Sequence, residues 1–431
     1  MIFIGVMFRI LKHYNINLPY DGISPDVNCA KLRLDPIDVA GSIRLKKLIK
    51  MRELKLSKDL LALTCVTVFT CLIVTAIVLE DTITAKKWKP HLQELIRSSI
   101  LRPVPKSEIK SFSKYFAVPK SGGSCRAIFN AKRLSAFFKR PETTNLPEID
   151  RVLELIEEYG QHWIVGDWRH FFHQIRLETE VSKFFGIECG GDTFCWSTLP
   201  MGFSHSPHLA QTVAWCILLE AAFRAELVAP EQYQDLVNTP SFVILKDNQG
   251  VLLVWYDNVL ALFRNVSARD KYYTALLEVT GTGENGVNCI WRNLERFSLS
   301  SMGPNRSPSG PPVRPIYLGM EFSRGTPKRD RHGNLRDSVQ WRHDPGRLER
   351  WTDLTTINPR ATPRVIARAV GVLLWDATVT RRPLCEESAV IDELRGAADR
   401  VHETGWDGVP AQNWSPETIS RLEDATKMLN P

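Results

Sequence analysis

The most constraining feature of the sequence is an apolar run at residues 251–262 (VLLVWYDNVLAL), interrupted by Asp257 and Asn258. Aliphatic and β-branched residues on both sides of a polar pair predict a β-hairpin whose tight turn carries one carboxylate out of a buried sheet. An Asp-Asn turn can be purely structural, because both side chains bond to their own backbone in turns. The alternative is that Asp257 binds a metal ion, which requires a second carboxylate from another part of the chain.

A second carboxylate lies in residues 163–177 (WIVGDWRHFFHQIRL). The apolar residues at its start predict a short strand that delivers Asp167, and the aromatic residues that follow predict a turn. Phe172 comes five residues after Asp167. If the two strands are neighbours, Asp167 and Asp257 meet at the edge of one sheet.

Residues 193–211 (TFCWSTLPMGFSHSPHLAQ) combine a strand, a sharp turn and the start of a helix. We expect the strand to end at Leu199, and Gly202 permits the turn. Ser206 followed by Pro207 predicts an N-cap and a first helical residue, with the helix running to about residue 227.

Residues 116–134 (FAVPKSGGSCRAIFNAKRL) predict two short strands around a Gly-Gly turn. Lys120 precedes the turn and Arg126 follows it, so both cations could converge on one phosphate-bearing ligand. The alternative is a solvated hairpin with surface charge. Further along, residues 316–322 (IYLGMEF) predict one strand that contains Leu318 and Gly319.

In this order, the segments resemble the motifs of reverse transcriptases. The LPMGFSHSP segment matches motif B, Leu-Pro-x-Gly-x-x-x-Ser-Pro, at every fixed position, and the Asp167 segment resembles motif A. The WYDN segment at 255–258 resembles motif C, Tyr-x-Asp-Asp, with Trp and Asn at the first and last positions. Lys120 and Arg126 resemble the fingers hairpin, and Leu318-Gly319 resembles the primer grip.

The resemblance implies an α+β fold of the right-hand polymerase type, with an antiparallel palm sheet and a helical thumb. It places the fingers at 86–161, the palm at 162–325 with fingers insertions, and the thumb with the start of a connection at 326–431. An RNase H domain is not expected. Residues 1–58 are expected to be a basic N-terminal extension, and residues 59–81 a hydrophobic segment that the family does not require.

The same resemblance implies an RNA-directed DNA polymerase that adds dNTPs to a primer 3′-hydroxyl on an RNA template, with DNA or RNA as primer. Two Mg²⁺ ions, or Mn²⁺ as an alternative, would be bound by Asp167, Asp257 and the backbone carbonyl of Trp168. The expected dNTP site comprises Lys120 and Arg126 at the triphosphate, Phe172 beneath the sugar, and Met201 and Gly202 near the new base pair. Leu318 and Gly319 would contact the primer.

Asn258 is the main departure from the family, because an amide can coordinate Mg²⁺ but brings no negative charge. One interpretation is an active site weakened at Asn258, in which Asn258→Asp would raise turnover. The other is a catalytically decayed, membrane-tethered nucleic-acid-binding protein on the same fold. An RNA-dependent RNA polymerase is opposed by motif B and Phe172. The FFHQI and WYDN segments are similar to those of tyrosine-recombinase retrotransposons of the DIRS-like group, including its VIPER branch.

Composition is consistent with a globular nucleic-acid-binding protein. Hydrophobic residues make up 44% of the 431 residues, which is enough for sizeable cores, and 55 Lys and Arg against 48 Asp and Glu give a net charge of +7. The nine cysteines are scattered without a C-x-x-C pair. They favour reduced thiols in a reducing compartment, the cytoplasm or nucleus.

Residues 60–79 contain no charged residue and have the length that a helix needs to cross a bilayer. They follow a basic stretch at residues 44–58 that predicts a helix with a cationic face. This pattern predicts a transmembrane helix with a cytoplasmic N-terminus and hence membrane association. The threonines and valines within it leave a buried helix or a pair of strands as the alternative.

Overall fold

A computed structural model describes residues 33–34, 36–51, 63, 65–73, 89–120, 124–229, 239–302, 314–329, 335–343, 357–383, 387–405, 408 and 412–429. The strands are β1 (Arg33–Leu34), β2 (Leu101–Pro103), β3 (Lys114–Lys120), β4 (Ser124–Asn130), β5 (His162–Trp168), β6 (Gly186–Cys189), β7 (Asp192–Trp196), β8 (Phe242–Ile244), β9 (Gly250–Trp255), β10 (Asn258–Phe263), β11 (Trp291–Ser298), β12 (Ile316–Tyr317), β13 (Met320–Arg324), β14 (Lys328–Arg329), β15 (Leu335–Arg336) and β16 (Val339–His343). The α-helices are α1 (Leu45–Met51), α2 (Val66–Thr70), α3 (Lys89–Arg97), α4 (Lys132–Ser135), α5 (Ile149–Tyr159), α6 (Phe171–Gln174), α7 (Thr179–Ser182), α8 (Ser206–Arg224), α9 (Val266–Thr280), α10 (Pro363–Thr380), α11 (Ser388–Thr404) and α12 (Pro416–Leu429).

The mixture of helices with mainly antiparallel sheets confirms the predicted α+β class. The chain forms two compact units. The sheet unit comprises the described residues of 24–147 and 161–297, and the bundle unit comprises those of 148–160 and 298–431. The division into fingers, palm and thumb at the boundaries expected from the sequence stays a prediction.

The sheet unit is built around a five-stranded sheet in the order β11-β5-β10-β9-β8. Strand β10 pairs antiparallel with β5 on one side and with β9 on the other. Every residue of β9 is buried, which is why this strand is an almost continuous apolar run without polar alternation. Helix α8 is buried along nearly its whole length, so it is apolar on all sides and lies inside the unit.

A hairpin of β3 and β4 forms a second sheet, in which β1 pairs parallel to β4. This confirms the predicted pair of strands around residues 121–123. A third sheet has the order β2-β7-β6. Aromatic side chains join these elements: the ring of Phe185 lies 5.7 Å from that of Phe129 and 5.1 Å from that of Phe203, measured between centroids.

Residues 36–51 are part of the sheet unit, which corrects their description as an extension. The backbone amide of Gly41 donates to the carbonyl of His173 at 2.8 Å, and the amide of Ile43 donates to that of Gln174 at 3.1 Å. Ile37, Val39, Ile43, Leu45 and Leu48 are all buried in the main hydrophobic core. Helix α1 confirms the start of the helix predicted at 44–58, and residues 52–58 lie outside the described part.

The predicted membrane-spanning segment is described only at residues 63 and 65–73. There the chain forms the five-residue helix α2, which ends at Thr70, and Ile73 then bridges to Phe138. Phe69 of this helix is 2% exposed and packs against Phe138, Phe184 and Phe185. Within the described residues, none of the helices has the length and apolar character needed to cross a membrane.

The bundle unit contains α5, α10, α11 and α12 and the small sheet β12-β13-β16. Helices α10, α11 and α12 lie within residues 326–431, where the resemblance implies helices. The Ser415 hydroxyl accepts a hydrogen bond from the amide of Thr418 at 3.1 Å, so Ser415 caps α12. Glu387, 1% exposed, is paired at 2.9 Å with Arg421, and this buried pair links α12 to the start of α11.

Candidate active site

The hairpin of β9 and β10 places Asp257 in a two-residue turn. The register pairs Trp255 with Asn258, so Tyr256 and Asp257 form the turn and Asn258 is the first residue of β10. This corrects the predicted turn, which was Asp257 and Asn258. Tyr256 adopts a φ of 56°, a left-handed conformation that is unfavourable for a bulky residue. The turn therefore has to be stabilised by its surroundings.

Asp167 lies beside this turn. On the other side of β10, Asn258 is the register partner of Asp167 in β5. The backbone amide of Trp168 also donates to the carbonyl of Asp257 at 2.9 Å. Strand pairing thus places the backbones of Asp167 and Asp257, which are 90 residues apart in the sequence, next to each other.

Each carboxylate has a different neighbour. The guanidinium of Arg292 lies 3.6 Å from Oδ2 of Asp167, and the Arg292 side chain is 64% exposed. The side-chain amide of Asn258 donates to Oδ1 of Asp257 at 3.0 Å. Burial raises the pKa of Asp257, while the charge of Arg126 and the Asn258 hydrogen bond act in the opposite direction. The site therefore favours a compensating cation near Asp257.

Gln211 holds the turn and was not recognised in the sequence. It lies on α8, is completely buried, and accepts a hydrogen bond from the amide of Tyr256 at 2.8 Å. Its Nε2 donates to the carbonyl of Val254 at 2.9 Å. One amide therefore bonds the backbone on both sides of Trp255 and fixes the first turn residue. The available signal was a Gln within an otherwise apolar stretch of the helix that follows motif B.

Gln174 has a similar role behind Asp167. Its Nε2 donates to the carbonyls of Arg169 at 2.6 Å and Ile290 at 2.8 Å. Its Oε1 accepts from the amide of Ile290 at 2.8 Å and from the hydroxyl of Ser42 at 3.1 Å. Gln174 thus ties the turn after Asp167 both to the segment before β11 and to the N-terminal residues of the sheet unit.

The motif B loop packs against the β3–β4 hairpin. The amide of Phe129 donates to the carbonyl of Met201 at 3.0 Å. Gly202 has a φ of 116°, and a Cβ at this position would overlap the carbonyl oxygen of Phe129. Glycine is therefore required there both by backbone conformation and by space.

Ser206 does not cap the helix, contrary to the sequence prediction. It is the first residue of α8, and its hydroxyl donates to the carbonyl of Pro200 at 2.6 Å. This hydrogen bond connects the end of the motif B loop to its beginning at Pro200. Pro207 occupies the first turn of the helix, as predicted. The helix ends at Arg224 and not at residue 227.

Phe172 and Met201 are both largely buried, at 8% and 9% exposure. The ring centroid of Phe172 lies 6.4 Å from that of Tyr256, which places Phe172 against the Asp257 turn. The charge of Arg126 lowers the pKa of Asp257, against the effect of burial.

Lys120 is the last residue of β3, and its register partner is Ser124, two residues before Arg126. Its side chain and residues 121–123 lie outside the described part. The convergence of Lys120 and Arg126 on one ligand stays a prediction.

Leu318 and Gly319 lie in the bundle unit and form a two-residue turn between β12 and β13, where Tyr317 pairs with Met320. This corrects the continuous strand expected at 316–322. Both turn residues have positive φ, 50° and 85°. Leu318 is 2% exposed, so its side chain supports the hairpin from inside, and the primer-grip role stays a prediction.

The donor set at Asp167 and Asp257 fits Mg²⁺ or Mn²⁺. Two carboxylates are hard oxygen ligands, and a buried carboxylate with a raised pKa gains from a neighbouring cation. In the described part of the chain, no group of three or more His, Cys, Asp or Glu side chains is placed to hold a metal ion. A cation here would therefore need further ligands from backbone, water or substrate. The carbonyl of Trp168 stays a predicted ligand.

No protein-family model matches the chain. No curated protein matches it either. Among solved structures, the foamy viral protease-reverse transcriptase dRH in complex with ds DNA is 13% identical, with a TM-score of 0.49 over 83% of this chain and 51% of that one. The foamy viral protease-reverse transcriptase in complex with dsDNA is 15% identical, with a TM-score of 0.47 over 83% and 61%.

The same viral protein in complex with an RNA/DNA hybrid is 13% identical, with a TM-score of 0.49 over 83% of this chain and 39% of that one. The chain thus spans about half the length of the solved structures it resembles. Identities and TM-scores of this size assign no activity. A functional conclusion has to come from the geometry around Asp167 and Asp257.

Proposed function

We propose that this chain is an RNA-directed DNA polymerase of a retroelement, adding dNTPs to a primer 3′-hydroxyl with two divalent cations. The observation that carries the proposal is the pairing of Asn258 with Asp167 across β10 and β5, which brings Asp167 next to Asp257. Two adjacent carboxylates at the end of a buried hairpin are suited to binding cations. The packing of Phe172 against the Asp257 turn and the effect of the Arg126 charge on Asp257 support the proposal further.

In the reaction, the 3′-hydroxyl loses its proton to water and its oxygen forms a bond to the α-phosphorus. The bond from the α-phosphorus to the bridging oxygen of the β-phosphate breaks, and pyrophosphate leaves with the bonding electrons. Bound cations would stabilise the charge on the entering and leaving oxygens. Asp167 and Asp257 would hold them, with the carbonyl of Trp168 as a further ligand. Arg126 and Lys120 would neutralise the triphosphate, because cations on neighbouring strands suit a polyanionic ligand.

Phe172 supports selection of deoxynucleotides. Its ring is packed against Tyr256 beside the carboxylates, so a sugar held there would meet an immobile aromatic surface. A ribose 2′-hydroxyl would have to be accommodated against that ring, at a steric cost. Leu318 and Gly319 are assigned to the primer, and RNA to the template, on the resemblance of the motifs. The FFHQI and WYDN segments support an origin in a DIRS-like or VIPER-like element.

A second candidate function is nucleic-acid binding without catalysis. Two observations favour it: Arg292 already contacts Asp167, and Asn258 supplies an amide in place of a third carboxylate. Both features lower the negative charge available to a cation. The positive net charge of the chain suits either function.

Primer extension by the full chain on a primed RNA, with Mg²⁺ and dNTPs, tests the proposal. We expect extension by the wild type and a loss of about 10³-fold, equivalent to about 4 kcal/mol of transition-state stabilisation, in Asp257→Ala. Asp192→Ala, at an exposed position of β7, is the matched control and should extend normally. Replacing dNTPs with NTPs distinguishes an RNA polymerase.

Absence of extension by the wild type, with retained binding of primed RNA, would favour the catalytically decayed protein. Extension by Asp257→Ala at the rate of Asp192→Ala would contradict the assignment of the site.

A further inference from the structure

Asn258 occupies a position whose backbone is fixed from both sides. It is the first residue of the central strand β10, with Trp255 of β9 and Asp167 of β5 as register partners. Because strand pairing fixes the backbone on both sides, the Asn258 side chain can move only by changing its rotamer. The half-buried Asn258 side chain uses this position to contact one atom, Oδ1 of Asp257, at 3.0 Å.

Asp257 is placed differently. Its carbonyl is held by the amide of Trp168 at 2.9 Å, so the backbone of the turn is fixed on the side of β5. The carboxylate can still rotate about the bonds of its side chain. The side-chain amide of Asn258 donates to Oδ1 of this carboxylate, and the backbone amide of Asp257 itself is a second donor. The Asn258 hydrogen bond comes from a separate side chain and restricts the orientation of the carboxylate.

Asp167 offers a contrast within the same site. Its cationic neighbour, Arg292, has a long side chain that is 64% exposed and lies at 3.6 Å. Such a contact can be released at small cost, because the guanidinium is largely in water. The Asn258 contact is shorter and comes from a residue fixed in the sheet. The contact between Asn258 and Asp257 is therefore more firmly placed than the contact between Arg292 and Asp167.

We infer that Asn258 is a positioning residue, whose amide orients the Asp257 carboxylate for the cation instead of acting as a weakened third carboxylate ligand. This inference rests on the proposed function. An asparagine can do this because its NH₂ group donates, whereas an ionised aspartate of the same shape only accepts. Aspartate at this position would face Asp257 with a like charge and turn the carboxylate away. A motif with asparagine at position 258 therefore suits a site in which two carboxylates, those of Asp167 and Asp257, bind the cation.

Two substitutions of the same shape separate the interpretations. Asn258→Leu removes the donor without adding charge, and Asn258→Asp removes the donor and adds charge. We expect Asn258→Leu to weaken Mn²⁺ binding to the full chain, measured by electron paramagnetic resonance without nucleotide, by about tenfold. Raising Mg²⁺ should partly restore its primer extension, which a purely structural defect would not allow. We expect Asn258→Asp to extend primers about tenfold more slowly than the wild type.

Asn293→Leu and Asn293→Asp, at an exposed position of β11, are the matched controls and should change neither measurement. The thermal midpoint of each variant is measured in parallel, and Asn258→Ala replaces Asn258→Leu if leucine lowers that midpoint. Turnover above the wild type in Asn258→Asp would overturn the inference, because Asn258 would then be a weakened ligand. Mn²⁺ binding equal to the wild type in a folded variant without the amide would also overturn it.

Failure of the inference and failure of the proposed function give different results. If the wild type extends primers and Asp257→Ala does not, the proposed function holds, whatever the Asn258 variants do. If the wild type does not extend primers and binds Mn²⁺ no better than Asp257→Ala, the proposed function itself fails.

Discussion

Two turns of the molecule are both two residues long, but different interactions stabilise their backbone conformations. The Tyr256–Asp257 turn between β9 and β10 puts a bulky tyrosine at a φ of 56°, and Gln211 bonds the backbone on either side of Trp255. The Leu318–Gly319 turn between β12 and β13 puts a buried leucine at a φ of 50° and a glycine at 85°. In the second turn, glycine favours the conformation of one of the two residues, and the leucine is held by its burial. The conformation of the first turn depends on a side chain from a helix distant in the sequence.

The stabilisation of the first turn by Gln211 is consistent with the presence of the Asp257 carboxylate on that turn. A carboxylate that must meet Asp167 needs a fixed location, and a buried amide supplies it at the expense of local backbone preference. Substitutions outside the Tyr256–Asp257 turn should therefore alter its conformation. The Leu318–Gly319 turn should be affected mainly by substitutions of its own two residues.

The largest effect is expected from Gln211→Leu, which keeps the approximate size of the side chain and removes both hydrogen bonds. The amide of Tyr256 and the carbonyl of Val254 would lose their partner, at about 1–3 kcal/mol each. Displacement of Asp257 by an ångström should lower primer extension about 100-fold. Thr212→Val is the control, since that hydroxyl bonds only within α8, to the carbonyl of His208. A folded Gln211→Leu protein as active as Thr212→Val would remove the distinction between the two turns.

An intermediate effect is expected from Gly319→Ala. A Cβ at a φ of 85° should lower the free energy of unfolding by about 1–2 kcal/mol, measured by urea denaturation. Gly319→Asn should recover part of that loss, because asparagine tolerates the left-handed region better than alanine. If alanine and asparagine are equally stable there, the support of this turn does not come from its own residues.

A third effect concerns the surroundings of the first turn at acid pH. His173, next to Phe172, is buried, and its Nδ1 lies 3.2 Å from the hydroxyl of Thr198. Burial, followed by the charges of His170 and Arg126, lowers the pKa of His173 to about 3. The unfolded chain, in which the pKa of a histidine is about 6.5, therefore binds the extra proton first.

Stability should accordingly fall as the pH decreases from 6.5 towards 3, with a contribution from His173 of up to about 1.4 kcal/mol per pH unit. His173→Asn keeps a polar atom near Thr198 and cannot titrate in this range. The free energy of unfolding of this variant, measured from pH 7 to pH 4, should decline less steeply than that of the wild type. Parallel curves would show that His173 is accessible to protons in the folded protein.

The sequence was most informative where local pattern and long-range pairing agree. Apolar runs around Asp167 and Asp257 predicted two strands, and the structure pairs these strands directly. The turn itself was misplaced by one residue, because asparagine and aspartate favour turns by local chemistry. The register with β5 instead places Asn258 within the strand. A glycine after Leu318 likewise marked a turn that was interpreted as part of a strand.

The supports of the site could not be predicted from the same patterns. Gln211 and Gln174 contact backbone atoms of residues more than 40 and 110 positions away, respectively, and the local sequence around each does not reveal these contacts. The apolar stretch at 60–79 has the composition of a membrane helix, and hydropathy does not distinguish a lipid environment from an aromatic core such as the one around Phe69. These differences arise from tertiary contacts, which single-sequence periodicity does not contain.

The hydrogen bonds from Gly41 and Ile43 to the segment behind Asp167 have a practical consequence for expressing the protein. A polypeptide beginning at Lys86 would leave the carbonyls of His173 and Gln174 without these donors and would expose the core side chains against which the apolar residues from Ile37 to Leu48 pack. Such a shortened product would be prone to aggregate, and its inactivity would say nothing about Asp257. Recombinant designs should begin before Arg33.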